Sequence, residues 1–446
     1  MNEKVVIIGG GAAGIMFAFE LRKRNKECEI TVLEKGNDKL YSPCALPYVV
    51  AGKFSSISDI TVFPDSFYSE SKVDLVSECN VLSIDRKGKS VNTNKGNYSY
   101  DFLVIATGSS VFVPPIKGLS DVKYFTLKTK QDEISFDDFL KNLSKGSKVA
   151  VIGGGLIGLE SCHALFERGF KVTVIEAKER ILSNAFDQPV TNFISSYLKG
   201  LGIEILENCA IDEVKDNVIL TSKGEIPYDC ILVSTGVRAD VSLAKSCGLE
   251  VSRGVLVDSH LKTSDPNIFA IGDCAEPFGS LDNERTMSQL GTSALHEGKV
   301  VAMNIDAAFS GKQGNFKINN IFNTSVAKLG NLIVGSTGFT SDLAKAKLID
   351  SAAGFFRGKE ASEYYPDDRE IMVYVVSDKK GRVIGGQIAG FFEVMGRINL
   401  LSLAVAKRLS LSDLADGDFA YTPPLNSITD PVAVAAEVCL RRLSDG

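Results

Sequence analysis

The stretch KVVIIGGGAAGIMFAFELRKR, Lys4–Arg24, decides the fold. An apolar run, Val5 to Ile8, enters Gly9-x-Gly11-x-x-Gly14, and the apolar spacing that follows predicts a helix. A second apolar run, EITVLEK, ends at Glu34, twenty residues after Gly14. Strand, glycine turn, helix, second strand and acid are together the dinucleotide fingerprint in its required context. The glycines allow a tight turn and close backbone approach to a pyrophosphate. The helix start offers N–H groups to that anion, and the acid takes a ribose hydroxyl. Gly9, Gly11, Ala13, Gly14 and Glu34 are therefore expected at a cofactor.

The pattern recurs in SKVAVIGGGLIGLESCHALFERGFKVTVIEAKERIL, with Gly153, Gly155, Ile157, Gly158 and the terminal acid Glu176. Two intact fingerprints imply two dinucleotides. Glu176 favours an unphosphorylated ribose, hence NADH, while Lys178 and Arg180 close behind could accept a 2′-phosphate. Three further apolar runs stop at glycine: DFLVIATGS at Ala106-Thr107-Gly108, CILVSTGVRAD at Thr235-Gly236, and NIFAIGDCAE at Gly272-Asp273. Each ends where backbone can approach a ligand. From about residue 323 the pattern changes. REIMVYVVSDKKGRVIGGQIAG reads as two strands and a turn, FFEVMGRINLLSLAVAKRL as an amphipathic helix, and a last helix is expected at about 428 to 442. This region holds no nucleotide motif.

Composition narrows the function. The chain has 446 residues, 44% apolar and 23% charged, as a soluble multidomain protein would. A net charge of −6 offers no basic excess for phosphates, which argues against a general nucleic-acid binder. No apolar run is long enough to cross a bilayer, and the first strand starts too early for a signal peptide. A cytoplasmic protein with reduced thiols is expected. Nine cysteines are present, none spaced C-x-x-C, and no Cys/His cluster has zinc spacing, so no metal site is expected. Most lie in apolar runs and read as core residues.

Cys44 is different. In KLYSPCALPY it follows Ser42, suited to cap a helix, and Pro43, suited to its first position. In a first turn, N–H groups and the helix dipole would favour a thiolate, the nucleophile that attacks S–S bonds. Pro47 removes an intrahelical bond, so this helix is expected to be short or distorted.

On these motifs the chain resembles the pyridine nucleotide-disulfide oxidoreductase superfamily over essentially its whole length. The residues that carry the resemblance are the two fingerprints, the ATG at Ala106–Gly108 and IFAIGDCAE at Ile268–Glu276. It implies an α/β fold with two Rossmann-like domains, for FAD and NAD(P)H, and a C-terminal α+β dimerisation domain. The implied boundaries are 1–112 and 245–322 for FAD, 113–244 for NAD(P)H, and 323–446 for a homodimer interface. It also places Asp273 on the ribityl-phosphate side of the flavin, and Glu160, just past Gly158, near the nicotinamide.

The single cysteine before Leu46-Pro47-Tyr48 resembles the subgroup of CoA-disulfide reductases, NADH oxidases and peroxidases, and sulfur or persulfide reductases. AKLGNLIVGSTGFT, EYYPDD and YTPPLNSITDPVAVAA fit that subgroup. By this resemblance Tyr364 or Tyr365, with Tyr421, reaches the cysteine from the partner chain, and Arg22 and Ser42 face substrate. Pro43 stands where CoA-disulfide reductases commonly carry asparagine, which strengthens a polysulfide or persulfide role. The implied activity is NAD(P)H-driven reduction of a disulfide, persulfide or polysulfide through Cys44, CoA disulfide foremost. The alternatives are an oxidase or peroxidase cycling through a sulfenic acid, and a flavin electron-transfer reductase for a protein acceptor. With no histidine beyond His296, Tyr421 is the expected proton donor, although a phenol's usual pKa of about 10 makes it weak.

Overall fold

The computed structural model describes residues 3–444. They form two compact units. The first comprises the chain up to Ala45, Phe54–Phe112 and Val237–Ile321. The second comprises Leu46–Lys53, Val113–Gly236 and the chain from Phe322.

The first unit is built on a five-stranded sheet ordered Ile268–Ala270, Phe102–Ile105, Lys4–Ile8, Glu29–Leu33 and Asp74–Val76. Every neighbouring pair is parallel, with Val5 facing Ile30 on one side and Phe102 on the other. Parallel strands are covered on both faces, which is why these segments are unbroken apolar runs: Val6, Ile7, Val104 and Ile105 are all buried. The helices Ala12–Arg24 and Gly291–Phe309 pack along each other.

The second unit carries a parallel sheet ordered Glu204–Leu206, Lys171–Ile175, Lys148–Ile152 and Cys230–Val233. Its C-terminal part is an antiparallel sheet ordered Ser325–Leu329, Leu332–Gly338, Val383–Gly390, Glu370–Asp378 and Ser351–Lys359. The hairpin read from the sequence is Glu370–Asp378 with Val383–Gly390, and the amphipathic helix is Val394–Lys407. The last helix runs Pro431–Ser444 rather than from 428. The Asp430 carboxylate accepts the Val432 N–H at 2.8 Å, and proline fits the first helical position, so the start is set there. The class is α/β with a C-terminal α+β region, as expected. No helix among the described residues is long and apolar enough to cross a membrane.

One expected site residue is placed otherwise. Arg22 is buried in the first unit. Its Nε donates to Ser71 O, Nη1 to Asn25 O and Lys26 O, and Nη2 to Cys28 O and Lys72 O, at 2.8–3.2 Å. A guanidinium has five N–H donors, and all five are committed to backbone carbonyls, so none faces a substrate phosphate. The side chain ties the end of the first helix to the turn before Asp74–Val76. Arg22→Met keeps the aliphatic stem but orphans those carbonyls, and should cost about 3 kcal/mol in urea denaturation with substrate KM unchanged. Unaltered stability with a raised KM would return the guanidinium to the substrate.

Candidate functional site

Three motifs of the first unit meet at the C-terminal ends of its parallel strands, the usual ligand position in such sheets. Gly9 adopts a φ of +112°, and a Cβ there would stand 2.2 Å from the Ala106 carbonyl oxygen. A Cβ on Gly14 would meet the Gly9 carbonyl oxygen at 2.0 Å, which is how the helix sits so close to the strand. Around Gly11, by contrast, nothing lies within 4 Å of where a Cβ would be. Gly11 opens the helix and has no side chain to cap it, so its first amides face open space. That is a cradle for a pyrophosphate, and the residues fit FAD. The Glu34 carboxylate accepts Gly10 N–H at 2.6 Å and Gly36 N–H at 2.7 Å, holding the loop in shape while keeping lone pairs for a ribose.

The other two motifs lie against this loop. Ala106 N–H donates to Ile8 O at 2.8 Å, and the Thr107 hydroxyl to Asp240 O at 2.7 Å. The backbone of Gly108 accepts from Asp240 N–H at 3.0 Å. A Cβ on Gly272 would stand 2.8 Å from Ala13 Cβ. Asp273 accepts the Ser109 hydroxyl at 2.6 Å. Gly272 N–H donates at 2.6 Å to Glu297, a fully buried acid on the Gly291–Phe309 helix that no motif announced. Burial pushes the Glu297 carboxyl up to about 8; the Gly272 hydrogen bond opposes this and the Asp273 charge adds to it.

The second fingerprint repeats the geometry within the second unit. Gly153, at φ +108°, would press a Cβ to 2.3 Å from Ser234 O, and Gly158 to 2.4 Å from Gly153 O. Gly155 again stands in open space, and Ile157 is exposed beside it. Gly236, at φ +100°, ends the segment after Cys230–Val233. Glu176 accepts from Gly154 N–H and Lys178 N–H, each at 2.8 Å. The two cations near it are engaged: Lys178 Nζ with Asn184 Oδ1 at 2.6 Å, and Arg180 in an ion pair with Asp342.

Cys44 is exposed, whereas the other eight cysteines are buried or half-buried. It sits in a three-residue 3₁₀ turn, Pro43–Ala45, in which Ala45 N–H donates to Ser42 O at 3.0 Å. The five-residue helix Leu46–Val50 follows, bearing Pro47. The short, distorted helix foreseen from Pro47 is what forms, and so few aligned amides give only a weak dipole beneath the sulfur. Cys274, by contrast, is buried, with its Sγ 3.2 Å from Ile271 O, as a core residue.

The chain beyond Cys44 is pinned by the helix Leu156–Glu167. The Tyr48 hydroxyl donates to Glu160 Oε1 at 2.9 Å, and Lys53 pairs with Glu167 at 3.1 Å. Arg168, capping that helix, donates to Val50 O at 3.0 Å and to Asp137 at 2.6 Å. Burial raises the Glu160 carboxyl above its usual range, with the Tyr48 bond opposing. Glu160 is thus part of a side-chain pair rather than a lone surface charge.

The expected tyrosines also belong to the second unit. Tyr364 and Tyr421 are exposed, and their hydroxyls lie 2.7 Å apart. Ser362 Oγ stands 3.3 Å from the Tyr421 oxygen. The Tyr365 backbone N–H donates to Ser362 O at 2.8 Å. No group of three or more His, Cys, Asp or Glu that could hold a metal occurs among the described residues.

Residues 3–298 match the family model described as pyridine nucleotide-disulphide oxidoreductase, and residues 325–431 match that family's dimerisation domain. An NADH oxidase of Methanocaldococcus jannaschii is 33% identical over 453 residues, covering 99% of this chain and 100% of its own. An NAD(P)H coenzyme A polysulfide/persulfide reductase of Pyrococcus horikoshii is 30% identical over 446 residues, covering 98% of each. Among solved structures, reduced CoADR-RHD of Bacillus anthracis superposes with a TM-score of 0.94 at 26% identity, over 100% of this chain and 81% of that one.

The buried Glu297 carries a pH signature. An acid raised from 4.5 to about 8 keeps its proton in the folded state where the unfolded chain has lost it. Stability is therefore greatest below pH 4.5 as far as this group goes, and falls as pH rises to about 8, by at most about 1.4 kcal/mol per unit. Glu297→Gln keeps an acceptor for Gly272 and should flatten that fall, as read by denaturant midpoints from pH 5 to 9. Glu133, raised to about 7 mainly by burial, titrates in both proteins and cancels in the comparison.

Proposed function

Because this chain belongs to the pyridine nucleotide-disulphide oxidoreductase family and uses FAD with NAD(P)H, we propose that it reduces small disulfides, persulfides or polysulfides through Cys44, with CoA disulfide foremost. The observation that carries this reading is the exposure of one cysteine out of nine, on a turn just past the first fingerprint. The likenesses to a coenzyme A polysulfide/persulfide reductase and to CoADR-RHD support the substrate class.

In this reading Gly9, Gly11, Ala13, Gly14, Glu34, Ala106–Gly108, Gly272 and Asp273 hold FAD. Gly153, Gly155, Ile157, Gly158, Glu160, Glu176 and Gly236 hold the pyridine nucleotide, and the C-terminal region makes a homodimer. FAD so held would supply the path by which an electron pair passes from nicotinamide to sulfur. The Cys44 thiolate attacks one sulfur of the substrate, with Ser42 beside it at the turn; a Cys44–S bond forms, the S–S bond breaks, and one thiolate departs. Tyr421 of the partner subunit, hydrogen-bonded to Tyr364, supplies that thiolate's proton. Reduction of the Cys44 mixed disulfide releases the second thiol, so NADH, one proton and one disulfide give NAD⁺ and two thiols. NADH is the preferred donor, because Glu176 suits a free ribose and Arg180 is already paired with Asp342.

A second reading keeps the same thiol. The exposed sulfur and the likeness to an NADH oxidase favour reduction of oxygen or peroxide, with Cys44 passing through sulfenic acid. A third, electron transfer to a protein acceptor, needs no thiol.

Cys44→Ser separates these readings. Disulfide reduction should fall by about a hundredfold or more, while NADH still bleaches the flavin. Disulfide turnover that persists would remove Cys44 from the mechanism and favour the protein-acceptor reading. Mass spectrometry of the resting protein should show CoA on Cys44, and one added oxygen there would favour the oxidase. NADPH should be at least about tenfold poorer than NADH in kcat/KM, and Asp342→Ala, by freeing Arg180, should narrow the gap.

A further inference from the structure

The tyrosine pair of the second unit rests on a buried hydroxyl that no motif marked. Ser362 is 4% exposed and fixed at both backbone ends: its N–H donates to Pro423 O at 3.0 Å and its carbonyl accepts Tyr365 N–H at 2.8 Å. It thereby clamps the Tyr364-Tyr365-Pro366 segment to the Tyr421-Thr422-Pro423 segment. Its Oγ donates to the Asn426 carbonyl at 3.1 Å and stands 3.3 Å from the Tyr421 oxygen.

A serine hydroxyl has one proton and two acceptor positions. The Asn426 carbonyl can only accept, so it holds the Ser362 proton while Tyr421 is neutral. Tyr421 then donates to Ser362 Oγ, and Tyr364 donates to Tyr421. Once Tyr421 has lost its proton, its oxygen is the stronger acceptor, because hydrogen bonds to a charged group are about twice as strong as neutral ones. Rotation about one C–O bond takes the Ser362 proton from Asn426 to Tyr421. The tyrosinate then has two donors, Ser362 and Tyr364, already in place.

We propose that Ser362 is the positioning residue for proton delivery: its buried hydroxyl switches from the Asn426 carbonyl to the Tyr421 oxygen as that tyrosine protonates the departing thiolate. The transfer balances, RS⁻ and Tyr421–OH giving RSH and Tyr421–O⁻, with the phenol recovering its proton from solvent. The Ser362 and Tyr364 hydroxyls hold Tyr421 below the usual tyrosine range, and Tyr364 is held above it by its bond to Tyr421. The carbonyl that anchors the resting state is itself fixed. Asn426 Nδ2 donates to Asp430 Oδ2 at 2.8 Å, and Asp430 pairs with Arg397 at 3.0 Å. Those two charges are opposite and adjacent, so their fields at Tyr421 largely cancel.

The inference rests on Tyr421 acting as the donor, and the test distinguishes the two. The full-length, FAD-loaded enzyme is titrated by tyrosinate ultraviolet absorbance, as wild type and as Ser362→Ala, Ser362→Thr and Tyr421→Phe. Ser362→Ala removes one oxygen, and unchanged flavin content checks its fold. The lowest tyrosine step should vanish in Tyr421→Phe, move to higher pH in Ser362→Ala, and return with Ser362→Thr. Ser362→Ala should also lower kcat with CoA disulfide about tenfold, leaving the KM for NADH unchanged. A step that stays in place in Ser362→Ala overturns the switch. A step that moves while turnover does not change in any variant leaves the switch standing and overturns Tyr421 as donor.

Discussion

The uncapped amides at the starts of two helices are the constraint on which the rest depends. A helix leaves its first N–H groups without intrahelical partners, and a side-chain cap usually takes one. Here glycine occupies both cap positions, Gly11 and Gly155, with open space around each. Such an end calls for an anion. The loops do not wait for it to take shape, because Glu34 and Glu176 each bridge two backbone N–H groups across the turn. The same carboxylate thus builds the loop and keeps lone pairs that a ribose hydroxyl would take. Close contacts from Gly14 to Gly9, and from Gly158 to Gly153, then fix each helix on its strand.

A second constraint is the path of the chain after Cys44. The turn Pro43–Ala45 ends one segment of the first unit, and Leu46–Lys53 belongs to the second. That short segment is held by Glu160, Glu167 and Arg168, on or at the end of the helix that the second glycine loop opens. Cys44 and Tyr48, four residues apart, therefore fall in different units. The Tyr48–Glu160 hydrogen bond joins positions 112 residues apart in sequence, and only the short backbone from Tyr48 to Cys44 separates it from the cysteine turn. The raised carboxyl of Glu160 makes that bond sensitive to its own protonation.

Features with a local cause were legible in the sequence. Both glycine loops, their acids, the hairpin Glu370–Gly390 and the shortness of the helix after Cys44 follow from spacing, periodicity and proline chemistry. Features that depend on where distant chain meets were not. Arg22 was expected at substrate, and its inward turn went unseen because its five acceptors are backbone carbonyls, which carry no residue signature. Glu297 lies in a helix with nothing to mark it, and only the fold brings it to Gly272. Ser362 and Tyr421 are 59 residues apart, so the motifs around each could be seen but their contact could not.

On the proposed mechanism, hydroxyls do the work that an imidazole does in other thiol enzymes. A free thiol has a pKa of about 8.5 and a phenol about 10, so proton transfer from an isolated tyrosine to a thiolate runs uphill. A stronger acid would ease the transfer but would be partly deprotonated before the thiolate formed. Donors that bind the phenolate better than the phenol resolve this, because they act only as charge develops. Tyr364 alone could supply one such bond, but an exposed hydroxyl competes with water. A buried serine with a carbonyl to hold its proton in the resting state does not share that weakness. On the proposed mechanism, this cluster would keep Tyr421 neutral until its proton is needed and stabilise the anion afterwards.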